Sequence, residues 1–354
     1  MVPDKRANSR HRIRLADVAA HVGVSRSTAS LVLRSSPLVA EETSIKVLQA
    51  CKELGYVYNR AASSLRAQRT HSVGLVVTSV GNPFFAELVD GVESALAVSG
   101  RTAILGQHSE NLDSQEALLN RLMEAGVDGV ILTAAYGTDA ETLRRLTSAG
   151  VAVVSTARRL AGVGEAYVGP DNHSGARAAA QHVVSLHEPA SVVFVGGSPA
   201  GSPFAERLSG IQDGLAGSGR SPEEVTAMPC KVSRHDAHEA AIELLDRTSE
   251  LPVAVFAYND VVALGVASAA RERGMTIGRD VLLVGFDDIE AARFEQPPLT
   301  TVRIGVADMG RAAAELLVAM IDGNNTETER TIIPSLVIRR SCGCDVDDFI
   351  VEAH

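Results

Sequence analysis

Residues 14–33 read RLADVAAHVGVSRSTASLVL, a pattern typical of two short helices joined by a sharp turn. Gly23 stands where the chain has to reverse, and glycine adopts positive φ there without steric cost. Ser25 follows as a good N-cap for a second helix. The first helix has apolar side chains at the i, i+3, i+4, i+7 spacing that predicts one buried face: Leu15, Val18, Ala19 and Val22.

The second helix has an apolar side and an outward side. Ala29, Val32 and Leu33 are predicted to face the interior. The side chains predicted to face outward are Arg26, Ser27, Ser30 and Leu31. This arrangement fits a DNA-binding helix-turn-helix, whose second helix enters the major groove. An ordinary helical hairpin is the alternative that these residues alone leave open.

Charge is unevenly distributed along the 354 residues. The whole chain has a formal net charge of -10, but residues 1–70 carry 12 basic and 5 acidic side chains, a balance of +7. Residues 71–354 have the opposite balance, −17. A small basic head on a large acidic body indicates that attraction to phosphate is confined to one end. A basic tail without a partner fits only the start of the chain, and we expect residues 1–13 to form a disordered basic arm.

A third helix is predicted from Glu41 to Leu54, with Gly55 as its stop. Its buried face is expected at Val47, Leu48, Cys51 and Leu54. The three helices predict a small headpiece over residues 14–57. A hinge segment follows at 58–71, where Asn59 can cap a helix of about two turns. A helix of that length is marginal alone in water, and the residue types by themselves favour a plain linker.

From His71 onward, short apolar runs alternate with amphipathic helical patterns. One helix is expected to begin after Asn82 as N-cap, with Pro83 at its first position and Gly100 at its end. Such alternation predicts parallel sheets covered by helices on both faces, in two doubly wound lobes with a cleft between them. We expect this body to span 72–354, with crossovers between the lobes near residues 170, 298 and 330. The predicted strands are Val73–Val77, Ala103–Leu105, Gly129–Leu132, Val151–Val154, Val192–Val195, Val253–Ala257 and Val281–Val284.

Polar and aromatic residues follow several predicted strands, where ligands bind in open α/β sheets. Carboxylates and amides beside an aromatic wall suit the hydroxyl pairs of a sugar or another polyol. Arg207, after the glycine-rich Gly196–Gly201 loop, can add a guanidinium that binds a carboxylate or ring oxygens. The alternative at each position is an ordinary helix cap. The segments are Asn82-Pro83-Phe84-Phe85, Asp171-Asn172, Tyr258-Asn259-Asp260 and Phe286-Asp287-Asp288.

Catalytic signatures such as G-x-S-x-G, H-E-x-x-H, the P-loop and G-x-G-x-x-G do not occur in the sequence. Cys342-Gly-Cys344 can bind a metal or oxidise, but no second pair accompanies it, and four cysteines give no disulfide framework. We therefore expect no catalytic residues, no metal and no cofactor. The spacing of a further group favours a solvated helix start over a metal cluster: His235, Asp236, His238 and Glu239.

Targeting and membrane signals are not found in the sequence. The N-terminal residues contain no apolar segment, and no run approaches about 18 apolar residues. We expect a soluble, cytoplasmic protein with no membrane partner.

Taken in order, these features resemble the LacI/GalR family of bacterial transcription regulators, from about Arg14 to Arg340. The stretches LADVAAHVGVSRSTASLVL and VAEETSIKVLQACKELGYVYNRAASSLR are similar to that family's headpiece and hinge. The body contains, in the family's order, NPFFAELVDGVE, VGPDN, RLSGIQDGL, FAYNDVVALG, GFDDIE and PPLTTVRI.

The resemblance implies both a fold and a function. The fold is a small all-α helix-turn-helix headpiece with a hinge helix, followed by a two-lobed α/β body like periplasmic binding proteins, with parallel doubly wound sheets. The function is a homodimeric repressor that reads a pseudo-palindromic DNA operator and is controlled by a small-molecule effector, a sugar, between the lobes. The alternative is a cytoplasmic sugar-binding protein or a sugar-metabolising enzyme.

The resemblance also assigns residues. It places Leu65 as a wedge in the minor groove, so that Asn59–Arg66 becomes a helix formed on DNA rather than a linker. The DNA-binding residues are expected to be Leu15, Ser25, Arg26, Ser27, Thr28, Ser30, Leu31, Arg34, Asn59, Ala62 and Leu65. The effector-binding residues are expected to be Phe84, Phe85, Asp171, Arg207, Phe256, Asn259 and Asp287.

Two positions depart from the family pattern. Leu31 stands where several relatives carry an arginine, and a leucine cannot hydrogen-bond a base, so Arg26 becomes the main hydrogen-bonding reader. Arg14 replaces the usual threonine cap of the first helix, and Arg34 can compensate for a lost phosphate contact.

Overall fold

The structure, a computed structural model, describes residues 13–33, 36–56, 70–160, 166–324, 327–346 and 348–353. The chain divides into two compact units, Met1–Thr70 and His71–His354. Arg34 and the predicted wedge at Leu65 lie outside the described residues, as do the rest of the predicted hinge helix and all but the last residue of the predicted arm.

The first unit contains three described helices, α1 (Leu15–Val22), α2 (Arg26–Leu33) and α3 (Glu41–Glu53). Gly23 has φ 75° and ends α1, as its place in the sequence predicts. The Ser25 hydroxyl accepts a hydrogen bond from the Thr28 amide at 3.0 Å, which confirms Ser25 as a cap of α2.

The core of this unit forms where the three helices meet. Val18, Ala29 and Val47 are fully buried, and Val32 is 5% exposed. The prediction for Leu48 was wrong, because this side chain is 48% exposed. The buried positions of α3 follow the i, i+3, i+4 spacing from Val47, and Leu48 lies about 100° away around the helix.

The second unit contains two sheets joined by helices. The first sheet has the strand order β11-β5-β4-β3-β1-β2 with parallel pairing throughout. Its strands are β1 (Ser72–Val77), β2 (Thr102–Gln107), β3 (Gly129–Leu132), β4 (Ala152–Thr156), β5 (Ala166–Pro170) and β11 (Glu329–Ile332). The second sheet has the order β13-β12-β10-β9-β8-β6-β7. Its strands are β6 (Ser191–Val195), β7 (Val225–Met228), β8 (Val253–Ala257), β9 (Val281–Asp287), β10 (Thr300–Arg303), β12 (Ser335–Ile338) and β13 (Phe349–Glu352).

Helices cover both sheets, so central strands such as β8 and β9 are buried along their whole length. The α-helices are α4 (Pro83–Val98), α5 (Leu112–Glu124), α6 (Ala140–Ser148), α7 (Asn172–His187), α8 (Ser202–Gly217), α9 (Arg234–Arg247), α10 (Asp260–Glu272), α11 (Glu290–Phe294) and α12 (Val306–Ile321). Short 3₁₀ turns stand at Pro222–Glu224 and Arg340–Cys342.

Close helix contact within the first lobe depends on two glycines. A Cβ at Gly91 of α4 would lie 2.0 Å from the Ala307 carbonyl oxygen, and one at Gly310 of α12 would lie 2.4 Å from the Leu88 carbonyl oxygen. Any side chain at either position would therefore push α4 and α12 apart. This contact joins α12, which follows β10 of the second sheet, to the first lobe.

The chain passes between the two lobes three times. It leaves the first lobe after Pro170 and re-enters it after β10. It leaves the first lobe again after β11, because β12 begins in the second sheet at Ser335. β10 pairs with β9 through Arg303, five residues beyond the crossover predicted near 298. The chain crosses after that strand, at 304–305, before α12. The other two crossovers were predicted near residues 170 and 330.

Candidate functional site

The outward side of α2 is a polar surface on the first unit. Arg26 and Ser27 are exposed, and Ser30 and Leu31 are partly exposed. The Ser25 hydroxyl oxygen lies 2.7 Å from the Ser27 hydroxyl oxygen and 2.8 Å from that of Thr28. These hydroxyls surround the start of a helix, where unpaired backbone amides favour an anion such as a DNA phosphate.

Arg26 makes no ion pair with any described residue and is free to reach a base edge or a phosphate. Leu15 is partly buried against the headpiece core, so any contact of this residue with DNA would involve its exposed remainder. The other predicted DNA-binding residues, Arg34, Asn59, Ala62 and Leu65, lie outside the described residues.

A cavity of about 1000 Å³ lies between the two lobes of the second unit. Its walls come from the loops after the strands of both sheets. The first lobe contributes residues after β1, β2, β3 and β4, and the second lobe contributes residues after β6, β7, β8 and β10 together with the last residue of β9. The volume stands at the upper end of the range for small-molecule sites.

Arg207 of α8 is a fixed guanidinium in this cavity. Its side chain is buried, with its Cζ atom 3.7 Å from the ring centroid of Phe286 and 4.7 Å from that of Tyr258. Its Nε donates to Asn172 Oδ1 at 2.9 Å, and its Nη1 donates to the Tyr258 carbonyl oxygen. Nη2 makes no hydrogen bond to a described residue and can donate to a ligand.

Asp287, at the end of β9, places a carboxyl group in the same wall. Burial raises the pKa of Asp287 to about 7, against the opposing effects of the Arg207 charge and a hydrogen bond with Asn259. Asn259 also caps α10, because its Oδ1 accepts from the Val262 amide at 3.1 Å. The guanidinium, carboxyl and amide groups thus meet on one side of the cavity.

The opposite wall, from the first lobe, contains residues that the sequence did not single out. Arg158 lies over the Tyr136 ring, with its Cζ atom 4.0 Å from the ring centroid. Its Nη2 lies 2.7 Å from Glu110 Oε1, and its Nη1 donates to the Ala134 carbonyl oxygen at 2.8 Å. Burial raises the pKa of Tyr136, so its hydroxyl keeps its proton at neutral pH. Each of these residues follows a strand, and that position is the signal that would have found them.

Unusual backbone conformations concentrate at the cavity. Positive φ angles are found in four of the non-glycine residues that line it: Ser109 (52°), Glu110 (60°), Ala157 (61°) and Asp287 (109°). Such conformations are costly for residues with a Cβ and cluster at functional sites. The backbone geometry therefore points to the same cavity as the polar side chains.

The cavity brings together five of the seven predicted effector-binding residues: Phe84, Phe85, Arg207, Asn259 and Asp287. The two phenyl rings stand edge to face with centroids 4.9 Å apart. Asp171 and Phe256 do not line this cavity. Asp171 caps α7 by accepting from the Ser174 amide at 3.0 Å, and Phe256 is buried in β8 beside a separate small apolar void.

The sequence group at 235–239 forms the first turns of α9. His235 pairs with Glu239 at 3.4 Å on the surface, and His238 pairs with Glu272 of α10 at 3.0 Å. A different set of side chains has the composition of a metal site. Cys342 and Cys344 lie beside His182 and His187, which the sequence analysis did not connect with them.

A helix-turn-helix unit followed by a two-lobed body with a ligand cavity defines a DNA-binding transcription regulator with an effector domain. Residues 14–59 match the family described as "Bacterial regulatory proteins, lacI family". Residues 180–342 match "Periplasmic binding protein-like domain". None of the described helices is long and apolar enough to cross a membrane.

Known proteins resemble the chain over nearly its whole length. The HTH-type transcriptional regulator CelR of Thermobifida fusca is 35% identical over 343 residues, covering 94% of this chain and 99% of the relative. The HTH-type transcriptional repressor PurR of Pasteurella multocida is 32% identical over 342 residues, covering 92% of this chain and 98% of the relative. A solved complex of the regulator CelR with cellobiose is 33% identical, with a TM-score of 0.69 over 93% of this chain and 100% of that one.

The chain belongs to the LacI family of bacterial transcription regulators. It is a regulator and not an enzyme, which decides between the two functions that the sequence left open.

Proposed function

We propose that this protein is a homodimeric, cytoplasmic repressor whose affinity for its operator is controlled by a sugar bound in the cavity between the lobes. The observation that carries the proposal is the group formed by Arg207, Asn259 and Asp287 in the wall of that cavity. No cofactor is required for this function.

A sugar suits the cavity because the walls combine hydrogen-bonding groups with aromatic rings. A guanidinium and a carboxyl group side by side can bind adjacent hydroxyls of a sugar, one as donor and the other as acceptor. The rings of Phe84, Phe85 and Tyr136 supply apolar surface for the C–H faces of the sugar. The solved relative that holds cellobiose supports a sugar of one or two rings.

Control of DNA binding follows from the position of the cavity. Its walls come from both lobes, so a ligand that contacts both favours the lobe arrangement in which those contacts form together. That ligand changes operator affinity only by the ratio of its affinities for the two arrangements. We infer that the sugar selects the arrangement with weaker operator affinity.

On the DNA side, we propose that the outward face of α2 reads base edges in the major groove, with Arg26 as its main hydrogen-bonding side chain. Two copies in a homodimer would read the two halves of a pseudo-palindromic operator. Leu65, in the segment before the body, would enter the minor groove at the centre of the operator.

One experiment tests both halves of the proposal. The full chain is used to select duplexes from a random pool, and binding to the selected duplex is then measured with and without each of a panel of sugars, with nucleosides for comparison. We expect an enriched duplex with two related halves and a sugar that weakens binding at least tenfold. Enrichment without symmetry would contradict the homodimeric operator, and an effect limited to a nucleoside would contradict the sugar.

A matched pair of variants assigns the sugar effect to the cavity. Arg207→Lys keeps the charge but loses the planar fork and its stacking on two rings, so sugar binding should weaken about 10- to 100-fold. Arg247→Lys changes an exposed arginine that pairs with Glu243 on α9, and it should bind the sugar like the unmodified protein. Equal binding by the two variants would place the sugar elsewhere.

A further inference from the structure

Four side chains with metal-binding atoms converge at one end of α7, outside the effector cavity. Cys342 and Cys344 come from the 3₁₀ turn after β12 and the residues that follow it, and His182 and His187 come from α7. One potential ligand atom from each residue lies within 4.8 Å of those of the other three. About 160 positions separate the histidines from the cysteines in sequence.

The distances between these atoms match those of a tetrahedral zinc site. Zinc bonds of about 2.3 Å to sulfur and about 2.0–2.1 Å to nitrogen, at the tetrahedral angle, place ligand sulfur and nitrogen about 3.6 Å apart. The Sγ of Cys344 lies 3.4 Å from His182 Nε2 and 3.3 Å from His187 Nε2. The Sγ of Cys342 lies 3.7 Å from His182 Nε2.

The backbone around the cysteines is shaped for this approach. Gly343, between them, has φ 101°, a conformation that side chains with a Cβ rarely adopt. A Cβ at this position would also lie 3.2 Å from the His187 ring and 3.1 Å from the Gly278 carbonyl oxygen. Glycine at this position lets both thiols turn toward α7 while the histidine ring lies against the backbone.

The burial of the four residues suits a closed site. Cys342 is fully buried, and the other three are partly buried. Two cysteines on a solvent-exposed turn would not require a buried thiol or two neighbouring imidazole rings.

We propose that Cys342, Cys344, His182 and His187 bind one Zn²⁺ ion that fastens the C-terminal segment to α7. Two thiolates and two imidazoles are a common structural zinc set, and sulfur ligands select against Mg²⁺ and Ca²⁺. Four protein ligands leave no open position for substrate, so the ion is structural. Both cysteines lose their protons on binding, and the protons pass to solvent.

The test uses the full chain without an affinity tag, stripped of metal under reducing conditions and titrated with Zn²⁺ alone. We expect one zinc per chain by elemental analysis, and a higher thermal unfolding midpoint after loading. In a parallel titration, Co²⁺ should give the absorption bands of a tetrahedral ion with thiolate ligands.

Two variants test the ligands from the two sides of the site. Cys344→Ser and His182→Gln should each weaken zinc binding by more than about a hundredfold, because even outer-shell changes at such sites cost 10- to 100-fold. His173→Gln, at an exposed position of the same helix, and Cys51→Ala, in the headpiece, should each still bind one zinc. Circular dichroism of the metal-free forms shows whether each variant is folded. Only a ligand variant that is folded is used to judge whether its side chain binds zinc.

The outcomes separate the proposal from its alternatives. Loss of stoichiometric zinc in either ligand variant, with retention in both controls, supports the site. No zinc bound by the reduced chain, or equal binding by ligand and control variants, overturns it. A loss of two mass units with Cys342 and Cys344 both protected from alkylation, in a chain that binds no zinc after reduction, would identify a redox-active pair instead.

Discussion

The buried carboxyl group of Asp287 should make the stability of the protein depend on pH, and Asp287→Asn should remove that dependence. In the folded chain burial raises the pKa of Asp287 from 3.8 to about 7. Between these two values the folded chain keeps a proton that the unfolded chain has released. The free energy of unfolding therefore falls as the pH rises from about 4 to 7.

The size of the effect follows from the two pKa values. At pH 5 the carboxyl is about two pH units below its pKa in the folded chain and is protonated there, whereas it is already mostly ionised in the unfolded chain; at pH 8 it is ionised in both states. With about 1.36 kcal/mol per unit, Asp287 should make the protein roughly 2–3 kcal/mol less stable at pH 8 than at pH 5. The other ionisable groups are present in both proteins, so their contributions largely cancel in the comparison.

The assay is urea unfolding of the full chain at pH 5, 6, 7 and 8, followed by far-ultraviolet circular dichroism. From pH 5 to pH 8 the unmodified protein should lose roughly 2–3 kcal/mol more unfolding free energy than Asp287→Asn does. Asp113→Asn, at an exposed position on α5, is the matched control and should leave the profile unchanged. Parallel profiles for Asp287→Asn and the unmodified chain would refute the reasoning.

Further predictions concern the DNA-binding side. Arg26→Ala should cost about 1–3 kcal/mol of operator binding and relax base preference at one position, measured by fluorescence anisotropy, whereas Lys52→Ala on α3 should keep that preference. Leu65→Ala should lose operator affinity in the same assay while calorimetry still detects sugar binding, and unchanged operator affinity would contradict the wedge. The logarithm of the operator binding constant should fall linearly with the logarithm of salt concentration, and a flat line would show that phosphates are not neutralised.

The helix-turn-helix could be predicted in detail because its signals are local. The glycine turn, the Ser25 cap and the apolar spacing all act within a few residues, and α2 begins directly after the cap. The misassigned Leu48 differs from its buried neighbour only in its angle around α3. Apolar character alone therefore could not separate the two.

Strands defined by distant partners were harder to predict. β11 is Glu-Arg-Thr-Ile, with two charged residues and alternating exposure, and it exists because it pairs with β5 at the edge of the first sheet. β13 is exposed along its length and pairs only with β12 among the described strands. β11 lacks the continuous apolar run that marked β8 and β9, and in β13 that run is only three residues long, from Phe349 to Val351.

The cavity was predicted from the sequence only in part, because one wall also depends on contacts between distant segments. Arg207, Asn259 and Asp287 follow the rule that ligands bind beyond strand ends, and the structure gathers them. Glu110, Tyr136 and Arg158 obey the same rule, but their convergence depends on the sheet order, which no local pattern encodes. Asp171 also follows a strand, but its carboxylate accepts a hydrogen bond from the Ser174 amide of α7 and does not line the cavity.

The position of β11 has a consequence for how the protein is made. This strand completes the first sheet, although the other strands of that sheet lie between residues 72 and 170. A ribosome has therefore synthesised most of the second lobe before the edge of the first lobe can be closed. A nascent chain of 300 residues exposes an unpaired β5, a template for pairing with another chain. We expect synthesis that stalls in this interval to yield aggregates rather than a functional shorter regulator.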